Sequence, residues 1–92
     1  MMTKKFFKSF KERFGEVDTV WYNCNGIQCY IDFNNRYVNV FNADWYDNYV
    51  VINYEDSFGI AFDKNGAHHI KEYHTLKLNR TDIITVNFKQ YE

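Results

Sequence analysis

Residues 20–54, VWYNCNGIQCYIDFNNRYVNVFNADWYDNYVVINY, decide the fold. Ile27, Cys29, Ile31 and Phe33 alternate with Gln28, Tyr30 and Asp32, the period-two pattern of a strand with one buried face. Asn25-Gly26, just upstream, is a two-residue hairpin signal because both residues tolerate positive φ. It sets Tyr22 opposite Cys29 and Val20 opposite Ile31. Asn34-Asn35 reads as a second turn of this kind, setting Ile31 opposite Val38 and Cys29 opposite Val40. Three consecutive antiparallel strands with a common inner face are therefore expected. The same register lines up Trp21, Tyr30 and Asn39 in one outer row, with Tyr37 beside Asp32 and Phe41 beside Gln28.

Upstream, Thr3 to Phe14 has the pattern of an amphipathic helix. Phe7, Phe10 and Phe14, with Phe6 at the margin, fall on one side, and Lys4, Lys8 and Lys11 on the other. Thr3 suits the N-cap and Gly15 the C-terminal cap. A helix this short is marginal alone in water, so its Phe stripe must dock on the sheet.

Downstream, Tyr49–Tyr54 is apolar on both faces for much of its length and reads as a covered strand. Glu55-Asp56 reads as a turn, and Ser57–Phe62 as the returning strand with Phe58, Ile60 and Phe62 on one face. Gly59 and Ala61 on its other face leave room for a neighbouring layer. Asp63-Lys64-Asn65-Gly66 is a turn signal; with three loop residues it pairs Ile60 with Ile70 in a strand over Ala67–Tyr73. Thr75–Leu78 and Asp82–Phe88 form the last pair. The expectation is an α+β domain over 1–92, with helix 3–14 packed on a curved antiparallel meander over 19–88. That meander has about six to seven strands and could curl into a partial barrel.

Composition narrows the class. The chain has 92 residues, of which 21% are aromatic, enough for one domain with a genuine core. The excess of Asn, Tyr, Phe, Lys and Ile over Ala, Gly and Pro matches an AT-rich coding sequence, as in a low-GC bacterium or its phage. Cys24 and Cys29 are only diagonal neighbours in the predicted register, roughly 7–8 Å apart, near or beyond the reach of a disulfide. They are expected as buried free thiols, which fits a cytoplasmic protein, in the host cell's cytoplasm if phage-encoded. MMTKKFFKSFKERF lacks the uninterrupted apolar core of a signal peptide, and no segment approaches a membrane span. The net charge of −1 conceals a split. Residues 1–13 hold Lys4, Lys5, Lys8, Lys11 and Arg13 against Glu12. Residues 16–63 hold Glu16, Asp18, Asp32, Asp44, Asp47, Glu55, Asp56 and Asp63 against Arg36.

Catalytic motifs are missing. Ser9 and Ser57 lie in no nucleophile-elbow pattern, and Cys24 and Cys29 are expected inside, away from a base. Asp44/Asp47 and Glu55/Asp56 read as solvated turn formers without the concave pocket that acid–base work needs. His68 and His69 point to opposite faces of a strand, and His74 lies about 20 Å from His68 along an extended chain. No metal site, cofactor or enzymatic activity is expected.

What remains is surface. Trp21, Tyr30, Tyr37 and Phe41 fall on a face that alternation assigns to the outside. Either the helix covers it or it recognises a partner, since aromatics are enriched among interface anchors. Trp45 and Tyr46, in a loop beside Asp44 and Asp47, are the leading anchor candidates, with Glu55 and Asp56 as further acidic contacts. Single-stranded nucleic acid is not the expected partner, because only Arg36 is interleaved with these aromatics and the acidic middle repels phosphate. A non-enzymatic module, monomer or homodimer, binding a host protein with a basic cleft is the favoured expectation. Its sharpest form is a phage or mobile-element inhibitor of a CRISPR or restriction nuclease. The competing expectations are a ligand cavity lined by Tyr22, Tyr49 and His68 or His69, and a self-associating structural protein.

Overall fold

A computed structural model describes residues 2–90, with the side chain of Phe58 outside that description. Helix α1 spans Lys4–Glu12 and is followed by a 3₁₀ turn at Phe14–Glu16. Six strands follow: β1 (Val17–Cys24), β2 (Ile27–Asp32), β3 (Val38–Trp45), β4 (Tyr49–Asp63), β5 (Gly66–Asn79) and, after a 3₁₀ turn at Arg80–Asp82, β6 (Ile83–Phe88). The Thr3 hydroxyl caps α1 by accepting from the Phe6 amide at 3.1 Å, as its position predicts. The helix closes on Arg13 rather than on Gly15.

The strands are all antiparallel, but they form two sheets rather than one meander: β2-β1-β6 and β3-β4-β5. The β1–β2 hairpin has the predicted register, with Tyr22 opposite Cys29 and Val20 opposite Ile31. Its turn is built on Asn25 at φ 51 and Gly26 at φ 80, both in the left-handed region that such a turn demands.

The expected β2–β3 pairing is absent. Neither Asn34 nor Asn35 has positive φ; short-range bonds hold this segment instead. The Asp32 carboxylate accepts from the Asn34 amide at 2.9 Å, and the Asn35 side-chain carbonyl accepts from the Tyr37 amide at 2.9 Å. These Asx turns carry the chain out of the first sheet. The free edge of β1 is filled by β6, where Val20 faces Val86 and Tyr22 faces Ile83. Asn39 therefore does not join Trp21 and Tyr30, nor does Tyr37 flank Asp32 or Phe41 flank Gln28.

Further departures lie in β4 and β5. Glu55-Asp56 is not a turn: β4 runs through it, with Glu55 opposite Tyr73 and Asp56 opposite Glu72. The predicted strands Ala67–Tyr73 and Thr75–Leu78 are likewise halves of β5. Lys64-Asn65 forms a two-residue loop, so Ile60 faces His69 and Gly59 faces Ile70, one step from the expected register. Ile70 itself lies over Gly59, where an added Cβ would meet its Cδ1 at 3.6 Å; no helix fills that space. The expected placement of Phe58 beside Ile60 and Phe62 lies outside the described residues.

The core forms where α1 and both sheets meet. Phe7 and Phe10 pack with Val17, Val20, Ile31, Ile83 and Val86 from the first sheet and Val50, Ile52 and Leu78 from the second. Val17 and Val20 both point inward because a register shift interrupts alternation in β1 between them. Beyond Ser57 and Lys71, β4 and β5 leave β3 behind, whose ladder ends at Val38 opposite Asp56, and continue as a two-stranded arm. The radius of gyration, 15.1 Å, exceeds the roughly 12 Å of a compact domain of this length.

Candidate functional site

The second sheet has two chemically different faces. Val50, Ile52, Leu76 and Leu78 point into the core, so their register neighbours Val51, Asn53, Glu55 on β4 and Thr75, Tyr73, Lys71 on β5 point out. This outer face carries aromatic rings. Phe41 stacks on Tyr73 with centroids 5.9 Å apart, and Tyr37 leans on His69 at 5.6 Å. Phe41 is 54% and Tyr73 69% exposed, values that mark apolar surface left in water. The face continues along the arm, where Ile60 and Phe62 are also exposed. At the root of the arm, Tyr37, Ser57, Gly59, Ile60 and His69 line a shallow depression of about 230 Å³. Around the rings, Lys71 approaches Glu55 at 3.9 Å and Asn39 reaches the same carboxylate at 3.5 Å.

The predicted anchors separate. Trp21 and Tyr30 do pair across β1 and β2, stacked at 4.8 Å, but on the other sheet. Tyr37 belongs to the outer face and is held by Arg36, whose guanidinium donates to its hydroxyl and lies 4.7 Å from its ring. Tyr46 is exposed and stacks on Tyr49 at 4.5 Å, and Asp44 and Asp47 are exposed around the same turn. Trp45 is turned inward. Its ring sits 5.6, 5.1 and 5.4 Å from those of Phe7, Phe10 and Phe14, which makes it the floor on which the helix docks. Trp45→Ala should accordingly cost about 3 kcal/mol of stability, whereas Asp44→Asn with Asp47→Asn should leave the melting temperature nearly unchanged. Thermal denaturation of the two variants checks this contrast.

Glu55 and Asp56 point to opposite faces. Asp56 lies on the core-facing side, where the apolar run of Val50 and Ile52 gives way to Tyr54, Asp56, Glu72 and His74. The His74 Nε2 lies 3.2 Å from an Asp56 carboxylate oxygen, and the Tyr54 ring stacks on the imidazole at 4.9 Å. Burial raises the Tyr54 phenol above its usual 10.0, and the nearby Asp56 and Glu72 charges add to the shift. Tyr22 is raised from 10.0 as well, first by burial and then by Cys29, Tyr54 and Cys24. Since both phenols favour the neutral form when folded, their contribution to stability is intact below pH 10 and is lost as pH rises through the raised folded values. Melting temperatures at about pH 9 and about pH 11 should show that loss, and Tyr54→Phe should reduce it.

Cys24 is exposed and Cys29 half-buried, both free thiols; the expected burial of Cys24 fails because it ends β1 beside the Asn25-Gly26 turn. Tyr22, Tyr49 and His68 do not share a cavity: Tyr49 faces Asn79 at one end of the β4–β5 ladder, and His68 faces Ala61 near the other. Tyr73 is absent from the sequence-based candidates, although alternation through His69, Lys71, Tyr73 and Thr75 is the signal that places it outward. No helix among the described residues is long and apolar enough to cross a membrane. No protein-family model, curated protein or solved structure matches the chain.

Proposed function

We propose that this chain is a non-enzymatic protein-binding module that works through the outer face of β3-β4-β5 and the arm. The observation that carries the reading is the continuity of exposed Tyr37, Phe41 and Tyr73 with exposed Ile60 and Phe62. Exposed apolar surface of this kind, rimmed by polar groups, marks an interaction site. The depression beneath Tyr37 and His69 offers a seat for a partner's side chain. The sharper form is an inhibitor from a phage or mobile element that meets the basic cleft of a host enzyme, such as a CRISPR or restriction nuclease. Asp44, Asp47 and Tyr46 supply an acidic and aromatic corner for that contact, and the compositional signature and charge split of the sequence support the host context.

A tagged pull-down from a low-GC Gram-positive lysate, with and without nuclease digestion, tests the reading. A near-stoichiometric protein that survives digestion is the expected result. Loss of the band on digestion would transfer the function to nucleic acid and the lysine side of α1. The competing reading is self-association, favoured by the unpaired edge of β4 along the arm, where β3 has ended. Light scattering separates self-association from a monomeric inhibitor: a self-pairing arm would give dimers over the range in which the monomeric inhibitor stays single.

A further inference from the structure

We propose that Asp56, Glu72 and His74 form a binding site for a divalent first-row transition ion such as Zn²⁺ at the root of the arm. Each offers one donor atom, and these atoms lie within 4.8 Å of one another, the one such group among the described residues. Ligands at 2.0–2.2 Å from a tetrahedral ion stand roughly 3.4 Å apart, so modest side-chain rotations close the set. The His74–Asp56 separation of 3.2 Å already has that spacing.

The donors are brought together by the register of two strands. Glu72 and His74 are two residues apart on β5 and share a face, and Asp56 lies directly across from Glu72 on β4. Two carboxylates in directly opposed positions repel. Asp56 has the His74 ring nitrogen as its hydrogen-bond partner, and Glu72 makes no ion pair or side-chain hydrogen bond among the described residues. Lys71, the adjacent cation, engages Glu55 instead, on the opposite face. A dication bound here converts that repulsion into shared coordination. Tyr54, stacked on the imidazole at 4.9 Å, restricts the ring's rotation. One imidazole with two carboxylates suits zinc and its first-row neighbours rather than a calcium-type all-oxygen shell. Water completes the coordination.

The position gives the ion a purpose. Asp56 and Glu72 are the register pair next to Ser57 and Lys71, where the arm departs from the body. An ion there would clamp β4 to β5 at the junction between sheet and ribbon. The site faces away from the outer aromatic surface, so it stands or falls independently of the proposed partner.

The test is titration of the EDTA-treated full chain with Zn²⁺ by calorimetry, with Mg²⁺ as the control, followed by thermal denaturation. One Zn²⁺ per chain is expected, no comparable Mg²⁺ binding, and a melting temperature raised on the order of 10 °C at a hundredfold excess over Kd. Loss of one group that merely supports a metal ligand costs roughly 10–100-fold in affinity. Asp56→Asn with Glu72→Gln removes two ligands and should weaken Zn²⁺ by at least about 100-fold. The metal-free melting temperature of that variant should stay the same or rise, because the repulsion is gone. Glu72→Gln alone, at an exposed and unbonded position, gives the same comparison if the double variant folds poorly. Absence of Zn²⁺ binding overturns the proposal. So does Zn²⁺ binding that the variants leave intact, or a Co²⁺ complex showing a thiolate charge-transfer band, which would assign the metal to Cys24 or Cys29.

Discussion

Phe10→Ala is expected to lower the melting temperature by roughly 20 °C, about 4 kcal/mol at the scale of a domain this size. Phe10 is 0% exposed and is ringed by Phe7 at 6.2 Å, Phe14 at 5.8 Å and Trp45 at 5.1 Å. Phe7 and Phe14 come from the helix and the turn after it, but Trp45 closes β3 of the second sheet, so one ring joins elements distant in sequence. Its removal leaves a cavity whose walls belong to separate elements and cannot collapse together, which is why the cost should lie high in the range for Phe truncations. Total stability for a domain of this length is of the order of 5–15 kcal/mol, so the variant retains only part of it. Phe6→Ala is the internal control. Phe6 is 46% exposed and should lose about 1 kcal/mol or less. Similar melting temperatures for the two variants would mean that the helix does not dock as described.

Phe41→Ser combined with Tyr73→Ser is expected to weaken partner binding by at least about 30-fold, the scale of a single strong anchor. Both rings lie on solvent, stacked on one another, and the core beneath is built from the other side of β4 and β5. Some stability should be lost with the cross-strand aromatic contact, about 1 kcal/mol, far less than the loss in affinity. Asp44→Asn with Asp47→Asn should act differently. Those charges sit at an exposed turn, and their removal should slow association and flatten its salt dependence more than it speeds dissociation.

Local chemistry makes some of this architecture legible and long-range pairing hides the rest. Asn25-Gly26 is readable because its backbone needs positive φ and those two residues supply it, and the register of Val20 and Tyr22 follows from the turn. The helix is equally legible through the spacing of Phe7 and Phe10 and the Thr3 cap. Asn34-Asn35 misleads because Asn serves a tight hairpin and an Asx turn equally well, and here the Asp32 and Asn35 side chains choose the latter. No local pattern states that β6 takes the free edge of β1, which is the pairing that divides one sheet into two. Glu55-Asp56 looks like a turn because adjacent acids suit turns, but a strand with one open face accommodates Glu55 there while Asp56 finds His74. Trp45 misleads for a related reason: it ends a strand, and the last inward position of β3 is the floor under α1. The outer aromatic surface is half legible, since Tyr37 and Phe41 follow from alternation while Tyr73 needs the β4–β5 register to bring it beside Phe41.

We propose protein binding by the outer face of β3-β4-β5. It is tested most directly by parallel pull-downs with wild-type and Phe41→Ser/Tyr73→Ser baits, after thermal denaturation has shown that both are folded. A nuclease-resistant protein retained by the wild type and lost from the variant is the predicted result. Equal retention by the two folded baits would contradict it.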